Sequence, residues 1–174
     1  SVLLPMCDGA LDLHSGGKVG EFLPCGFLVV SGEASFLASK IAAAEAFGAP
    51  VTTVVSGTAD TRSLSAAADR HQVVNIATEL GGGGTVGMDA LQVGQAGTRR
   101  WLAHMGVIDT AEPPPAHSTQ FLRTRDRDDF VIASIDGTFE PSVRLGDTVE
   151  SGQLAGHLHP IDDPERPCGA VHFS

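Results

Sequence analysis

Lysine is nearly absent from this chain: Lys18 and Lys40 are the only two, and with the arginines they make 11 cationic residues against 21 aspartates and glutamates. The resulting formal charge of -10 at pH 7 disfavours phosphate backbones and anionic lipid surfaces, so neither nucleic acid nor a membrane is an expected partner. The C-terminal third holds no lysine at all, which removes the residue that lipoyl and biotinyl carriers modify. Cysteine is scarce too. Cys7, Cys25 and Cys168 are odd in number, far apart and form no CxxC pair, the pattern of buried or incidental thiols in a reducing compartment. No apolar run approaches a membrane span, and the N-terminal stretch has neither the basic start nor the long apolar core of a signal peptide, so a cytoplasmic protein is the expectation. No G-x-S-x-G elbow, Walker loop or Cys-His pairing with a local signature occurs.

What remains is enough for a packed protein: 174 residues, 42% apolar and 18% charged. Ala10 to Leu13 reads as a short buried strand. Gly26 to Ser31 carries a continuous apolar run, the form of a strand covered on both faces and central in its sheet. Leu37, Ile41, Ala44 and Phe47 recur at helical spacing within Glu33 to Phe47, with Gly48 as the stop. Val51 to Val55 is the next strand, Ser63 to His71 a second helix, and Val73 to Leu80 a strand that ends at Glu79. A longer helix fits Met88, Leu91, Leu102 and Met105, with Gly94 and Gly97 expected at points of close packing.

Alternating strands and helices of this kind predict an α/β layer with a largely parallel or mixed sheet. Pro113, Pro114 and Pro115 break the order, which sets residues 1–111 as one domain, 112–117 as a linker and 118–174 as a small β domain. Phe130 to Ser134 is the first strand expected there, and Val143 to Gly156 supplies further short strands and turns. The chain opens on Ser1 without an initiator Met and closes on Val171-His172-Phe173-Ser174, so it is expected to be a piece of a longer protein.

Two segments carry candidate chemistry. Asp12-Leu13-His14-Ser15-Gly16-Gly17 places an imidazole at a strand end before a flexible turn, and the carboxylate two residues earlier falls on the same side of the strand, where it can orient the ring. Thr78-Glu79-Leu80 followed by Gly81 to Gly84 places a carboxylate at the end of a second apolar strand, costly to bury unless it is paired or used. A rival reading takes Gly82 to Gly87 as G-x-G-x-x-G, a dinucleotide cradle, with Asp109 as the ribose acid; the short Gly106 to Asp109 stretch and the prolines count against it. A noncatalytic interaction module is the third reading. His157-x-His159 reads as a solvated turn beside Pro160, and His71, His104, His117 and His172 have no ligand-like spacing.

Together, the Asp-Leu-His-Ser-Gly-Gly motif, the Thr-Glu-Leu-Gly-Gly-Gly-Gly motif and Gly146 to Gly156 resemble the succinylglutamate desuccinylase/aspartoacylase family. Within it, the glycine-rich form is most similar to the N-acetyl-diaminobutyrate deacetylases of ectoine breakdown. The resemblance implies a zinc-carboxypeptidase-like α/β domain, here partial, with a mixed sheet and flanking helices, followed by a small all-β barrel- or sandwich-like domain. It implies zinc-dependent hydrolysis of a small N-acyl amino acid, acetyl or succinyl. His14 then matches a zinc ligand, Glu79 the general base and Asp12 a carboxylate behind the ligand. The family's other two ligands come from an upstream His-x-x-Glu, and no His precedes His14. Substrate-binding residues are not assigned, although Arg62 and Arg70 are available, and oligomeric state is left open, with a truncated sheet edge favouring self-association into a homo-oligomer.

Overall fold

A computed structural model of the chain describes residues 2–55, 62–109, 111–124, 129–163 and 165–174. Two compact units make it up, residues 1–124 and 125–174. In the first, a 3-10 turn at Leu4–Met6 leads into β1 (Gly9–His14), β2 (Cys25–Val29), α1 (Ala34–Phe47), β3 (Val51–Val55), α2 (Leu64–Arg70), β4 (Val74–Glu79), α3 (Met88–His104) and β5 (Gln120–Thr124). The sheet order is β1-β4-β2-β3-β5, parallel throughout except between β4 and β2. The sheet is therefore mixed, and the apolar β2 is its middle strand.

Local sequence explains the helix ends. Gly48 closes α1 in the left-handed conformation at φ 71°, and its N–H returns to the Ala44 carbonyl. Ser63 caps α2 by accepting the Ala66 N–H at 3.1 Å. Leu28, Ala43, Ala44, Phe47, Ala49, Ile76 and Trp101 form the core between sheet and helices. Gly97 packs on the Phe47 ring and Gly94 on Leu80, so both helical glycines do sit at close contacts.

Strand alternation sorts the two faces of the sheet. Leu11, Val74, Ile76 and Leu28 join the core under α1 and α3, whereas Ala10 packs with Leu4, Ala67, Ala68 and Val73, and Asn75 donates to Ser65 of α2 at 2.9 Å. By the same alternation Asp12, His14, Glu79 and Cys25 share the face of Ala10 and Asn75.

The proline-rich segment does not end the first unit. Gln120 to Thr124, expected in the second domain, pairs with β3 in parallel register from Val51↔Gln120 to Val55↔Thr124, so the division falls after residue 124 rather than at 111. The prolines carry the chain from α3 back to the sheet edge. The second unit holds β6 (Thr138–Pro141), β7 (Leu154–His159) and β8 (Gly169–His172) in one antiparallel sheet, order β6-β7-β8. Phe130 to Ser134, expected as a strand, has no strand structure, and its Phe130 and Ile132 are exposed. His157 and His159 lie within β7 rather than in a turn. No helix among the described residues is long and apolar enough to cross a membrane.

Candidate active site

The ends of β1 and β4 bring the two sequence motifs together. Parallel register pairs Asp12 with Ala77 and His14 with Glu79, and antiparallel register then pairs Glu79 with Cys25. His14, Glu79 and Cys25 thus form a transverse row over three adjacent strands, on one face of the sheet.

Asp12 Oδ1 lies 2.7 Å from His14 Nε2, with the imidazole 57% exposed and the carboxylate 23% exposed. A carboxylate in that position holds Nε2 as the N–H and leaves Nδ1 as the ring's lone-pair nitrogen. Glu79 differs. Its Oε2 is buried without a hydrogen-bond partner among the described residues, an acceptor left uncompensated beside the site. The Cys25 thiol is buried against it, and desolvation first, with the Glu79 charge adding, pushes the thiol above its ordinary value, so Cys25 stays a protonated thiol near neutral pH. The sequence reads Cys25 as a buried or incidental thiol, and it is buried; its place beside Glu79 is what the sequence misses. The signal available was its place at the head of the central strand, but which strand would face it required the register.

Two glycine loops hold these strand ends in place. Gly16 N–H donates to Gly81 O, Gly83 N–H to Gly20 O, and Gly84 N–H to Gly17 O, at 3.0, 2.9 and 2.7 Å. Gly81 to Gly84 all have positive φ, which is why side-chain-free residues occupy the loop. The Thr85 N–H is also used, by Gly82 O at 3.3 Å. A dinucleotide cradle needs those amides free to meet a pyrophosphate, and here they are spent on the chain itself. Gly106 to Asp109 forms no strand, so Asp109 has no ribose-binding position of that fold.

A cavity of about 600 Å³ adjoins the loops, lined by Leu13, His14, Leu80, Thr85, Leu91 and Gln95 among others. Arg70 ends α2 and Arg62 precedes its cap; neither lines this cavity. In the second unit, His159 Nε2 contacts Glu140 Oε2 at 2.6 Å as an exposed pair on β6 and β7.

Among the described residues no three His, Cys, Asp or Glu side chains converge on a point where a metal ion would sit. His14, with its carboxylate behind it, has the donor chemistry of one zinc ligand, but a zinc site takes three or four protein ligands. The residues present fit one corner of such a site and not the whole.

A mixed-sheet α/β unit thus brings a carboxylate-backed histidine and a half-buried glutamate to adjacent strand ends. The sequence pattern of the succinylglutamate desuccinylase/aspartoacylase catalytic domain matches residues 1–105, and the chain belongs to that family. It is 32% identical over 158 residues to the N-alpha-acetyl-L-2,4-diaminobutyric acid deacetylase of Halomonas elongata, covering 91% of this chain and 46% of that protein. Its structure superposes on the succinylglutamate desuccinylase/aspartoacylase of Rhodobacter sphaeroides with a TM-score of 0.88 at 31% identity, over 99% of this chain and 52% of that one. It likewise matches the apo ectoine utilization protein EutE (DoeB) of Ruegeria pomeroyi, TM-score 0.89 at 32% identity, over 98% of this chain and 53% of that one. The same Ruegeria protein has been solved with product bound. The chain spans about half the length of these relatives.

Proposed function

We propose that this chain carries one half of the active site of a zinc-dependent deacylase that hydrolyses the amide of a small N-acyl amino acid. The observation that supports it is the register pair His14↔Glu79, which sets a metal-type donor beside a carboxylate whose buried Oε2 has no hydrogen-bond partner among the described residues, within the family-matched segment. His14 would hold the metal through Nδ1, and Asp12 would fix the ring. Zinc, when bound, supplies Lewis-acid activation of water and of the acyl carbonyl. Glu79 takes the proton of the attacking water and returns it to the departing amine nitrogen. Its Oε2 has no other hydrogen-bond partner among the described residues and so is not committed elsewhere. The glycine loops let substrate approach the strand ends without side-chain obstruction. The described residues supply no further cluster of ligands around His14, and the second unit is read as a small barrel- or sandwich-like β module.

Amine release from N-acetyl-2,4-diaminobutyrate, N-acetylaspartate and N-succinylglutamate, measured on the protein loaded with zinc, is the test. Glu79→Gln should abolish turnover with metal content unchanged, and His14→Ala should lower metal content. Near-normal turnover in Glu79→Gln removes the general base from the mechanism; unchanged zinc in His14→Ala removes the ligand.

A further inference from the structure

Thr78 is 1% exposed and lies on β4 next to Glu79, yet alternation turns its side chain to the helix-covered face, away from Asp12, His14 and Glu79. A buried hydroxyl requires partners, and this one finds them in the main chain of the neighbouring strand. Thr78 Oγ1 accepts from the His14 N–H at 3.3 Å and donates to the Asp12 carbonyl at 3.4 Å. Those two groups flank Leu13, the register partner of Thr78. One hydroxyl therefore touches both ends of Asp12-Leu13-His14 from the core side, while the Asp12 carboxylate meets the His14 ring on the other side at 2.7 Å.

β1 is the edge strand of its sheet, held by a ladder on one side only. An edge strand is the least constrained place for a side chain that must aim a lone pair. Packing alone does not call for a hydroxyl here, since valine has the same shape and suits a buried strand. We propose that Thr78 is a positioning residue for the Asp12–His14 pair: its hydroxyl clamps the main chain of the edge strand at both ends of the pair and so sets the direction of the His14 ring. Its importance for metal binding rests on the proposed role of His14, whereas the clamp itself is independent of that role.

Imidazole nitrogen spectra of the whole chain labelled with ¹⁵N-histidine separate the two. The His14 signals, assigned with His14→Gln, should show the Nε2–H form in the wild type and in Thr78→Ser. In Thr78→Val they should move toward the tautomer average, with His159, also held by a carboxylate, unchanged as the internal reference. A purely structural role would lower the melting temperature of Thr78→Val without moving the His14 ring, and that result overturns the clamp. If Thr78→Val does not fold, Thr78→Cys replaces the hydroxyl with a feeble hydrogen-bonding thiol; the same displacement is expected, and an unmoved spectrum overturns the clamp equally. Zinc affinity of the deacylase should fall about fivefold or more in Thr78→Val relative to Thr78→Ser. Displaced His14 signals together with His14→Ala that leaves zinc unchanged would keep the clamp and remove the ligand reading.

Discussion

Gly97 of α3 rests directly on the ring of Phe47 at the end of α1: a Cβ at position 97 would stand 2.7 Å from Phe47 Cε2 and Cζ. Phe47 is 0% exposed and hemmed in by the core, so the ring has nowhere to go. Gly97→Ala should therefore destabilise the protein by about 1–3 kcal/mol, the range for overpacking. At Gly94 the nearest obstacle is Leu80 Cδ1 at 3.0 Å, the far end of a flexible side chain. There the helix-propensity gain of up to about 1 kcal/mol offsets the contact, and Gly94→Ala should be near neutral. Denaturant midpoints of the two variants check the contrast; equal losses would contradict it.

Those two glycines were legible in the sequence because a glycine inside a helical pattern is locally unfavourable and asks for a reason. The strands at Val51 to Val55 and Val74 to Glu79 and the helix closed by Gly48 were legible for similar local causes: β-branched runs, apolar periodicity and a left-handed stop. Assignments that depend on distant pairing were not. Gln120 to Thr124 joins β3 across 69 residues, a choice no local pattern encodes, and Val131 and Ile132 look like a strand but pair with no strand among the described residues. At the site, Asp12 and His14 could be joined by strand period alone, whereas the row from His14 through Glu79 to Cys25 exists only through two registers of opposite sense.

Cys25 gives that row a pH signature. Burial, the largest cause, and the Glu79 charge both raise the thiol above 9.0, opposed by a hydrogen bond from the Glu79 backbone. The unfolded thiol ionises first as pH rises, so above its ordinary value the folded state binds more protons than the unfolded state. The stabilising contribution is then complete below about pH 9 and is lost as pH climbs toward the folded-state value. Cys25→Ala should flatten the alkaline decline in stability. Alkylation rates against pH should show Glu79→Gln lowering the thiol's ionisation point while burial keeps it above that of an exposed cysteine. A thiol that titrates identically in both proteins would show that the Glu79 carboxylate exerts no effect on Cys25.

Lys40 is fully buried, and its three donors are all used: Val29 O at 2.8 Å, Ser31 Oγ at 3.2 Å and Asp69 Oδ1 at 2.8 Å. Ser31 also donates to Asp69 Oδ2 at 2.6 Å, so the carboxylate ties α1 and α2 to the end of β2. Lys40→Met keeps the volume but leaves Asp69 without its counter-ion and should cost about 3–5 kcal/mol. Adding Asp69→Asn removes the stranded charge, so the double variant should be more stable than the sum of the single losses predicts. Additive losses in urea unfolding would mean the two groups stand apart.

The glycine loop offers the sharpest separation between backbone strain and loop contact. Gly83 has φ +65° and open space where a Cβ would go, so Gly83→Ala meets only the left-handed penalty, about 1–2 kcal/mol. Gly82, at φ +155°, would set its Cβ 2.0 Å from Gly20 O, the carbonyl that receives the Gly83 N–H. Gly82→Ala must push the two loops apart, and with them the ends of β1 and β4 that carry His14 and Glu79. Amide exchange should therefore speed up at Gly83 and Gly84 in Gly82→Ala, and the proposed deacylation should fall far more than in Gly83→Ala at matched stability. Protection of both amides at wild-type levels in Gly82→Ala would mean the loop contacts survive the added methyl, and the close approach of Gly82 to Gly20 would not be what holds the site together.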